Sequence, residues 1–469
     1  MESRNRNVVL AVLFIGVLMG ALDIAIVGPA LPAIRSYFNV SDRALSWIFS
    51  LYVLFNLIGT PLMAKLSDQF GRRSIYIIDV SIFAIGSLVV ALSTNFSLVL
   101  VGRAIQGFGA GGIFPVASAV IGDTFPTEKR GSALGLIGAV FGLAFLIGPI
   151  LGGVILSFAS WKWLFLINIP IALLVIFLSI RILPTTRNQT SKRFDWLGMI
   201  IIAVILASLS LAINQLDIQN FFTSLLSLQV LPLFLVFIVL LLILPSIEKR
   251  TENPIIPFSM FNRSQLRLSY VLSAGAGFSE AGMVFLPLLA VVSLSKYGIR
   301  QENASWMLMP VVLALAIGSP LVGRLLDQLG SRIVILVGTI TTTIGMTLLG
   351  LFSSNLILFI VSGVLIGLGL STLLGAPLRY ITLNEAKVSE RSVAQGVISI
   401  FTSSGQMLGG ALIGAIAASR TQTMGAAAGY SLAFLIMGVI CLILVGIAFM
   451  LKNRDAEQSQ VLINESQLE

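Results

Sequence analysis

No histidine occurs among the 469 residues, the only cysteine is Cys441, and charged side chains make up just 10% of the chain. Each shortage closes a route. A lone cysteine excludes an internal disulfide. Without histidine, proton chemistry near neutral pH falls to carboxylates whose affinities are shifted by their surroundings. No metal-spaced His or Cys set can be drawn, and there is no G-x-x-x-x-G-K-[ST] phosphate loop and no G-x-S-x-G elbow. ATP drive, a metal, a bound cofactor and an enzymatic site are therefore not expected. With 57% hydrophobic residues, the chain also has too little polar side chain to cover a soluble globule. It reads as an integral membrane protein.

What is present is a succession of apolar runs, each long enough to cross roughly 30 Å of hydrocarbon as a helix of about 20 residues. Fourteen spans are expected, near residues 8–31, 45–66, 75–93, 97–122, 131–157, 162–183, 195–214, 227–246, 266–292, 303–326, 333–353, 355–380, 391–417 and 427–451. The opening "MESRNRN" and the run after it lack a small-residue cleavage site, so a retained first helix is expected rather than a signal peptide. Of the 29 Lys and Arg, 22 fall in the loops and span ends on the N-terminal side, six on the other, and Arg103 lies within a span. By the positive-inside rule this bias predicts a multi-pass protein of the cytoplasmic (inner) membrane with both termini in the cytoplasm. The net charge of +9 then reports topology and contact with anionic membrane lipids, and nucleic acid is not an expected partner.

One short polar stretch occurs twice. "AKLSDQFGRR" at 64–73 returns as "GRLLDQLGSR" at 323–332, an offset of 259 residues. The first joins spans two and three and the second joins spans ten and eleven. Spans one to six and nine to fourteen thus become equivalent sets of six, with two spans inserted between them, an arrangement known from secondary transporters. The expected organisation is an N-terminal six-helix bundle (1–190), two inserted helices with a loop (191–262), a C-terminal six-helix bundle (263–451) and a polar cytoplasmic tail (452–469). In each corner Asp68 or Asp327 is expected to meet the free amide groups at the start of the following helix. Gly71 and Gly330 permit the turn, and Arg72, Arg73 and Arg332 mark the cytoplasmic face.

"AKLSDQFGRR" resembles the loop signature G-x-L-x-D-R-x-G-R-R/K of the major facilitator superfamily, with Ala64 in place of the first glycine and Gln69 in place of a basic residue. "LVGRAIQGFGAGG" (100–112) resembles its fourth-helix motif, and "GLAFLIGPILGG" (142–153) the fifth-helix motif typical of exporters. "LDIAIVGPALP" (22–32), "WKWLFLINIP" (161–170) and "FDWLG" (194–198) are similar to patterns of its fourteen-helix drug:proton antiporters, the EmrB/QacA type. The resemblance covers almost the whole chain. It implies an all-α major facilitator fold, and it implies that Asp68, Arg72 and Asp123 form a cytoplasmic charge cluster that stabilises one state of a transport cycle.

Ionisable groups inside spans cost roughly 2.5–3.5 kcal/mol each at a helix centre, so they are functional candidates by default. Asp23 and Arg103 are expected at matching depths of about 12 and 9 Å from the outer ends of their helices. Asp23 would take up and release the coupling proton and Arg103 would modulate its affinity, the alternative being a static ion pair that fixes helix packing. Glu280, near the middle of the ninth span, is expected to line the cavity and attract a cationic substrate or bind a second proton. A Glu280 satisfied by Ser273, Ser279 or backbone groups is the competing reading. Asp79 and Asp123 read as interfacial. Gly107, Gly109, Gly111 and Gly112 allow close helix approach, while Gly148, Pro149, Gly152 and Gly153 would bend or loosen the fifth helix at a packed interface.

The function expected is export of lipophilic, chiefly cationic, drugs or toxic compounds by alternating access, with the proton gradient as energy source and no cofactor. Export of a specific endogenous lipid, siderophore or metabolite shares every motif. An accessory export protein, the oligomeric state and the task of the two inserted helices are left open.

Overall fold

A computed structural model describes residues 3–185, 194–217, 220–300 and 304–457. Among the described residues the secondary structure is entirely helical, and 14 helices are long and apolar enough to cross a membrane. In chain order they are α1 (Arg6–Phe38), α2 (Trp47–Phe70), α3 (Arg72–Ala91), α4 (Phe96–Thr124), α5 (Thr127–Phe158), α6 (Trp163–Ile182) and α7 (Trp196–Asn214). They continue with α8 (Leu231–Glu248), α9 (Ser264–Ser293), α10 (Ala304–Leu329), α11 (Ser331–Phe352), α12 (Leu356–Glu385), α13 (Val388–Ser419) and α14 (Ala426–Ala448). The tested feature of the sequence, its count of apolar runs, matches.

Helices α1–α6 and α9–α14 pack by the same plan. In each set the fourth helix lies against the second and third, and the first lies against the fifth. Equivalent starts are capped alike: the Asn95 side chain accepts from the Leu98 N–H at 3.0 Å and opens α4, and Asn355 accepts from the Ile357 N–H at 3.0 Å and opens α12. The halves meet along two seams, α2 with α13 and α5 with α10. Inserted α7 packs on α2 and touches α13, while α8 packs on α7 and turns Leu235, Ile238, Leu242 and other large apolar side chains outward, toward the hydrocarbon of a membrane.

Three local features differ from expectation. Helix α1 runs on to Phe38 with Pro29 and Pro32 inside it, so Asp23 lies deeper than a helix ending at residue 31 would place it. Helix α12 is broken: one segment ends at Leu373, a second begins at Ala376, and Gly375 and Pro377 sit at the break. The described start of the tail also docks. Arg454 donates to the carbonyls of Gln328 and Asp327, and Glu457 accepts from Ser331, all at the second decapeptide. Both decapeptides and this segment share one face of the molecule, called the motif face below. The boundary drawn at residue 190 falls outside the described residues; that at 262 falls between a 3-10 turn, Phe258–Asn262, and the helix starting at Ser264.

Candidate functional site

Between the halves lies a cavity of about 350 Å³, walled by α1, α2, α4 and α5 on one side and by α9, α10, α12 and α13 on the other. Tyr52, Phe141, Phe145 and Met283 supply aromatic and thioether surface, and Glu280 and Arg379 supply its ionisable groups. Glu280 makes no hydrogen bond or ion pair to any described residue; Ser279 instead donates to the carbonyl of Gly275, and Ser273 to that of Ser269. The reading in which neighbouring serines satisfy this carboxylate is therefore not the arrangement found.

Behind the cavity wall, wholly inside the first half, Asp23 and Arg103 form a buried pair at 2.6 Å. Gln106 donates to the same carboxylate at 2.7 Å and Asn168 at 3.0 Å. Ser87 accepts from both amides, at 2.6 and 3.2 Å. Arg103 also donates to the carbonyl of Ile48 at 3.3 Å and lies 4.2 Å from the centre of the Tyr52 ring. Three helices, α1, α4 and α6, thus meet on one carboxylate, and α2 and α3 hold the side chains around it. A buried ion pair is costly unless further hydrogen bonds support it; here Gln106 and Asn168 saturate the carboxylate and Ser87 holds both amides, while Nη2 of Arg103 has no hydrogen-bond partner among the described residues. Sequence reasoning found the two charges and missed the three neutral partners, whose signal was only that polar side chains recurred within apolar helices.

At the motif face the two decapeptides act across the seams. Asp68 sits in the last turn of α2, accepts from Arg72, and accepts from the backbone N–H groups of Ser392 at 3.1 Å and Val393 at 2.9 Å. Asp327 accepts from the backbone N–H groups of Gly131 and Ser132, both at 2.9 Å, and from the Ser132 hydroxyl at 2.5 Å. The amides expected to meet each carboxylate are therefore those at the start of the fifth helix of the opposite half, not those of the next helix. The reason is geometric: each aspartate precedes its turn, at the end of one helix, and the seam brings a foreign helix N-terminus to it. Gly71 (φ 99°) and Gly330 (φ 81°) make the turns in a backbone region that L side chains avoid.

The first corner is further locked by charge. Arg72 donates to Asp123 at 2.7 Å, Asp123 accepts from Arg391 at 2.8 Å, and Arg72 also reaches the Ser392 hydroxyl at 2.5 Å. Asp123 is thus part of an inter-half cluster rather than a simple interfacial charge; Arg391 was not singled out in the sequence. Arg73 is half-buried and makes no ion pair among the described residues, and Arg332 donates to Asn453 of the docked tail. Asp79, read as interfacial, is fully buried, with neither carboxylate oxygen hydrogen-bonded and Gly112 of α4 directly against it.

The glycines sort by what they touch. A Cβ on Gly107 would come within 2.2 Å of the Tyr52 carbonyl, one on Gly148 within 2.5 Å of Ala25, and one on Gly152 within 3.1 Å of Pro29. Gly153 has nothing within 4 Å, and Pro149 is exposed within a continuous α5, so neither sits at the packed interface expected of them.

Two pseudo-equivalent six-helix halves around a central cavity, joined at one face by reciprocal helix caps, define a secondary-transporter architecture. The model of the Major Facilitator Superfamily matches residues 13–302 and 268–467, and the chain belongs to that family. It is a membrane transporter and not an enzyme. It is 34% identical over 404 residues to the uncharacterized MFS-type transporter YfiU of Bacillus subtilis, covering 85% of this chain and 77% of that one. It is 31% identical over 422 residues to Multidrug resistance protein 3 of the same organism, covering 88% and 80%. Among solved structures, the human organic anion transporter MFSD10 (TETRAN) shares the fold, with TM-score 0.71, 16% identity and coverage of 95% of this chain and 100% of that one.

Proposed function

We propose that the protein exports lipophilic, chiefly cationic, drug-like compounds across the cytoplasmic membrane in exchange for protons, by alternating access. The observation that carries the reading is the central cavity closed toward the motif face by two caps that cross the halves. With the motif face in the cytoplasm, as the charge bias suggests, this is a state closed to the inside. Opening that side requires the Asp68 and Asp327 caps to part, and binding energy or protonation that differs between states can drive it. The likeness to a multidrug resistance protein of Bacillus subtilis supports efflux as the direction and drugs as the cargo.

Proton coupling rests on Asp23. Its carboxylate accepts from Arg103, Gln106 and Asn168; a proton arriving there would remove the pair's attraction and free Arg103 to move. Gly20, Ala21 and Ile24, beside it on α1, line the cavity, so a small rotation of α1 would bring the acid within reach of water. Glu280 on the opposite wall attracts the cationic part of a substrate. The test is proton release from acidified inside-out vesicles, followed with a pH-sensitive dye, on adding lipophilic cations. Release by the native protein and none by Asp23→Asn supports the reading. Silence across the panel, with correctly inserted protein, points instead to a dedicated endogenous lipid, siderophore or metabolite.

A further inference from the structure

The cavity holds a cation that the motifs do not account for. Arg379 lies in the second segment of α12 and is 6% exposed, so it is one of the most deeply buried charges of the second half. Its Nη1 donates to the Gln395 side chain at 3.1 Å and its Nη2 to the Ser399 hydroxyl at 3.3 Å, while its Nε has no partner. The guanidinium is 3.8 Å from the centre of the Phe114 ring, which belongs to the first half. No carboxylate of the described residues forms an ion pair with it.

A charge held at this depth without a counter-ion is costly, and replacing it by an apolar group of similar size would be the cheaper solution for packing alone. The side chain is also fixed: Gln395 returns a hydrogen bond from its amide to the Arg379 carbonyl at 2.9 Å, and the aromatic face holds the guanidinium plane. A second positive element converges on the same place. Because α12 breaks at Leu374–Gly375, a new helix begins at Ala376, and Leu374, Gly375 and Leu378 of that N-terminus line the cavity beside Arg379. The first amides of a helix have no partner within it and carry its positive dipole end. Half-helix N-termini inside membrane transporters face anionic groups of substrates for this reason.

We infer that Arg379 and the N-terminus of the second α12 segment form an anion-binding subsite, so that the cavity accepts lipophilic zwitterions, with the acid group on Arg379 and the amine toward Glu280. The inference rests on the efflux reading for its cavity and refines the substrate class from cations to compounds bearing both charges.

The test is equilibrium binding to the purified, full-length protein in lipid nanodiscs, by fluorescence polarisation, of rhodamine B and of its ethyl ester. The ester keeps the apolar skeleton and the cationic charge and lacks the carboxylate. Arg379→Gln should weaken rhodamine B about tenfold and leave the ester within about twofold, as expected for loss of a charge-assisted bidentate contact, and Arg379→Lys should fall between. Glu280→Gln should weaken the ester, which reports that the cavity itself is the site. Equal losses of both dyes in Arg379→Gln would make Arg379 a packing residue and overturn the subsite, as would no loss of either. Binding of the ester but not of rhodamine B by the native protein overturns the subsite and leaves cation efflux standing. Binding of neither dye counts against the subsite and the efflux reading together.

Discussion

The first half hides its principal charges behind the cavity wall, whereas the second turns them into the cavity. Helices α1 and α9 show how small the difference in sequence is. Shifting Asp23 by the 259-residue repeat reaches Gly282, which sits against Met437, Phe434 and Met346 in the interior of the second half. Glu280 is two positions earlier, about 200° around the helix, and its counterpart in the first half, Ala21, lines the cavity. The same shift takes Arg103 to Ser362, whose hydroxyl only bonds back to Leu358 in its own helix, and takes Arg379 back to Val120, a core residue. Duplicated backbone has thus been given different chemistry on each side. The division of labour suggested is proton handling in the first half and substrate charge recognition in the second.

The sharpest way to break that division is to remove one acid at a time. Asp23→Asn should reduce proton-coupled transport about 100-fold or more, as expected when a proton-carrying group is lost, while dye binding in nanodiscs stays near native. If Asp23→Asn instead abolishes binding and leaves residual transport pH-dependent, the roles assigned to the halves are exchanged.

The corners give the next largest contrast. Asp68 is buried and tied to Arg72, which leads to Asp123 and Arg391, while Asp327 is half-buried and backed by the docked tail. Asp68→Asn should therefore favour opening of the motif face more than Asp327→Asn, with transport reduced about tenfold and about threefold respectively, in line with the greater worth of charge-assisted bonds in buried networks. Thiol labelling of a single cysteine placed at Thr60, on the cavity wall, reads the opening directly, because the native Cys441 is buried. Equal labelling of the two variants would show that the backbone caps alone, and not the charge cluster, set the closed state.

Glycine packing tests the reverse, that the scaffold is shared even where the charges are not. Gly148 of α5 abuts Ala25 of α1, and Gly409 of α13 abuts Phe278 of α9 at the matching crossing. Gly148→Leu and Gly409→Leu should each lower transport several-fold, consistent with overpacking costs of about 1–3 kcal/mol. Gly153→Leu and Gly410→Leu, which meet open space, should leave it near native.

How much of this could be read from the chain depends on what kind of signal each feature left. Membrane helices announce themselves by length and apolarity, so their number was legible, and the repeat of ten residues was enough to pair the halves. Asp23, Arg103 and Glu280 stood out because charge inside a span is rare. Arg379 did not, since the break at Gly375 was invisible to a hydropathy count and left the arginine looking like the charged end of a span. Gln106, Asn168 and Ser87 escaped for another reason: neutral polar residues are common in membrane helices, and only the fold shows that Gln106 and Asn168 converge on Asp23 with Ser87 bonded to both amides. The partners of Asp68 and Asp327 lie 324 and 196 residues away, beyond any local reading.

The effect expected at Glu280 depends on the substrate, and it decides most about the second half. A carboxylate with no partner among the described residues contributes nothing to packing through hydrogen bonds, so Glu280→Gln should leave expression and thermal stability unchanged. For cationic substrates its removal should weaken binding about three- to tenfold, the size of an ion pair that is partly hydrated in the cavity. For neutral lipophilic compounds the same substitution should change nothing, because the apolar walls around Tyr52, Phe141 and Met283 are untouched. A change in the pH dependence of transport by Glu280→Gln, with cation affinity preserved, would instead make this acid a second proton carrier. The contrast between the halves would then lie in where each proton is exposed, and substrate charge would be left to Arg379.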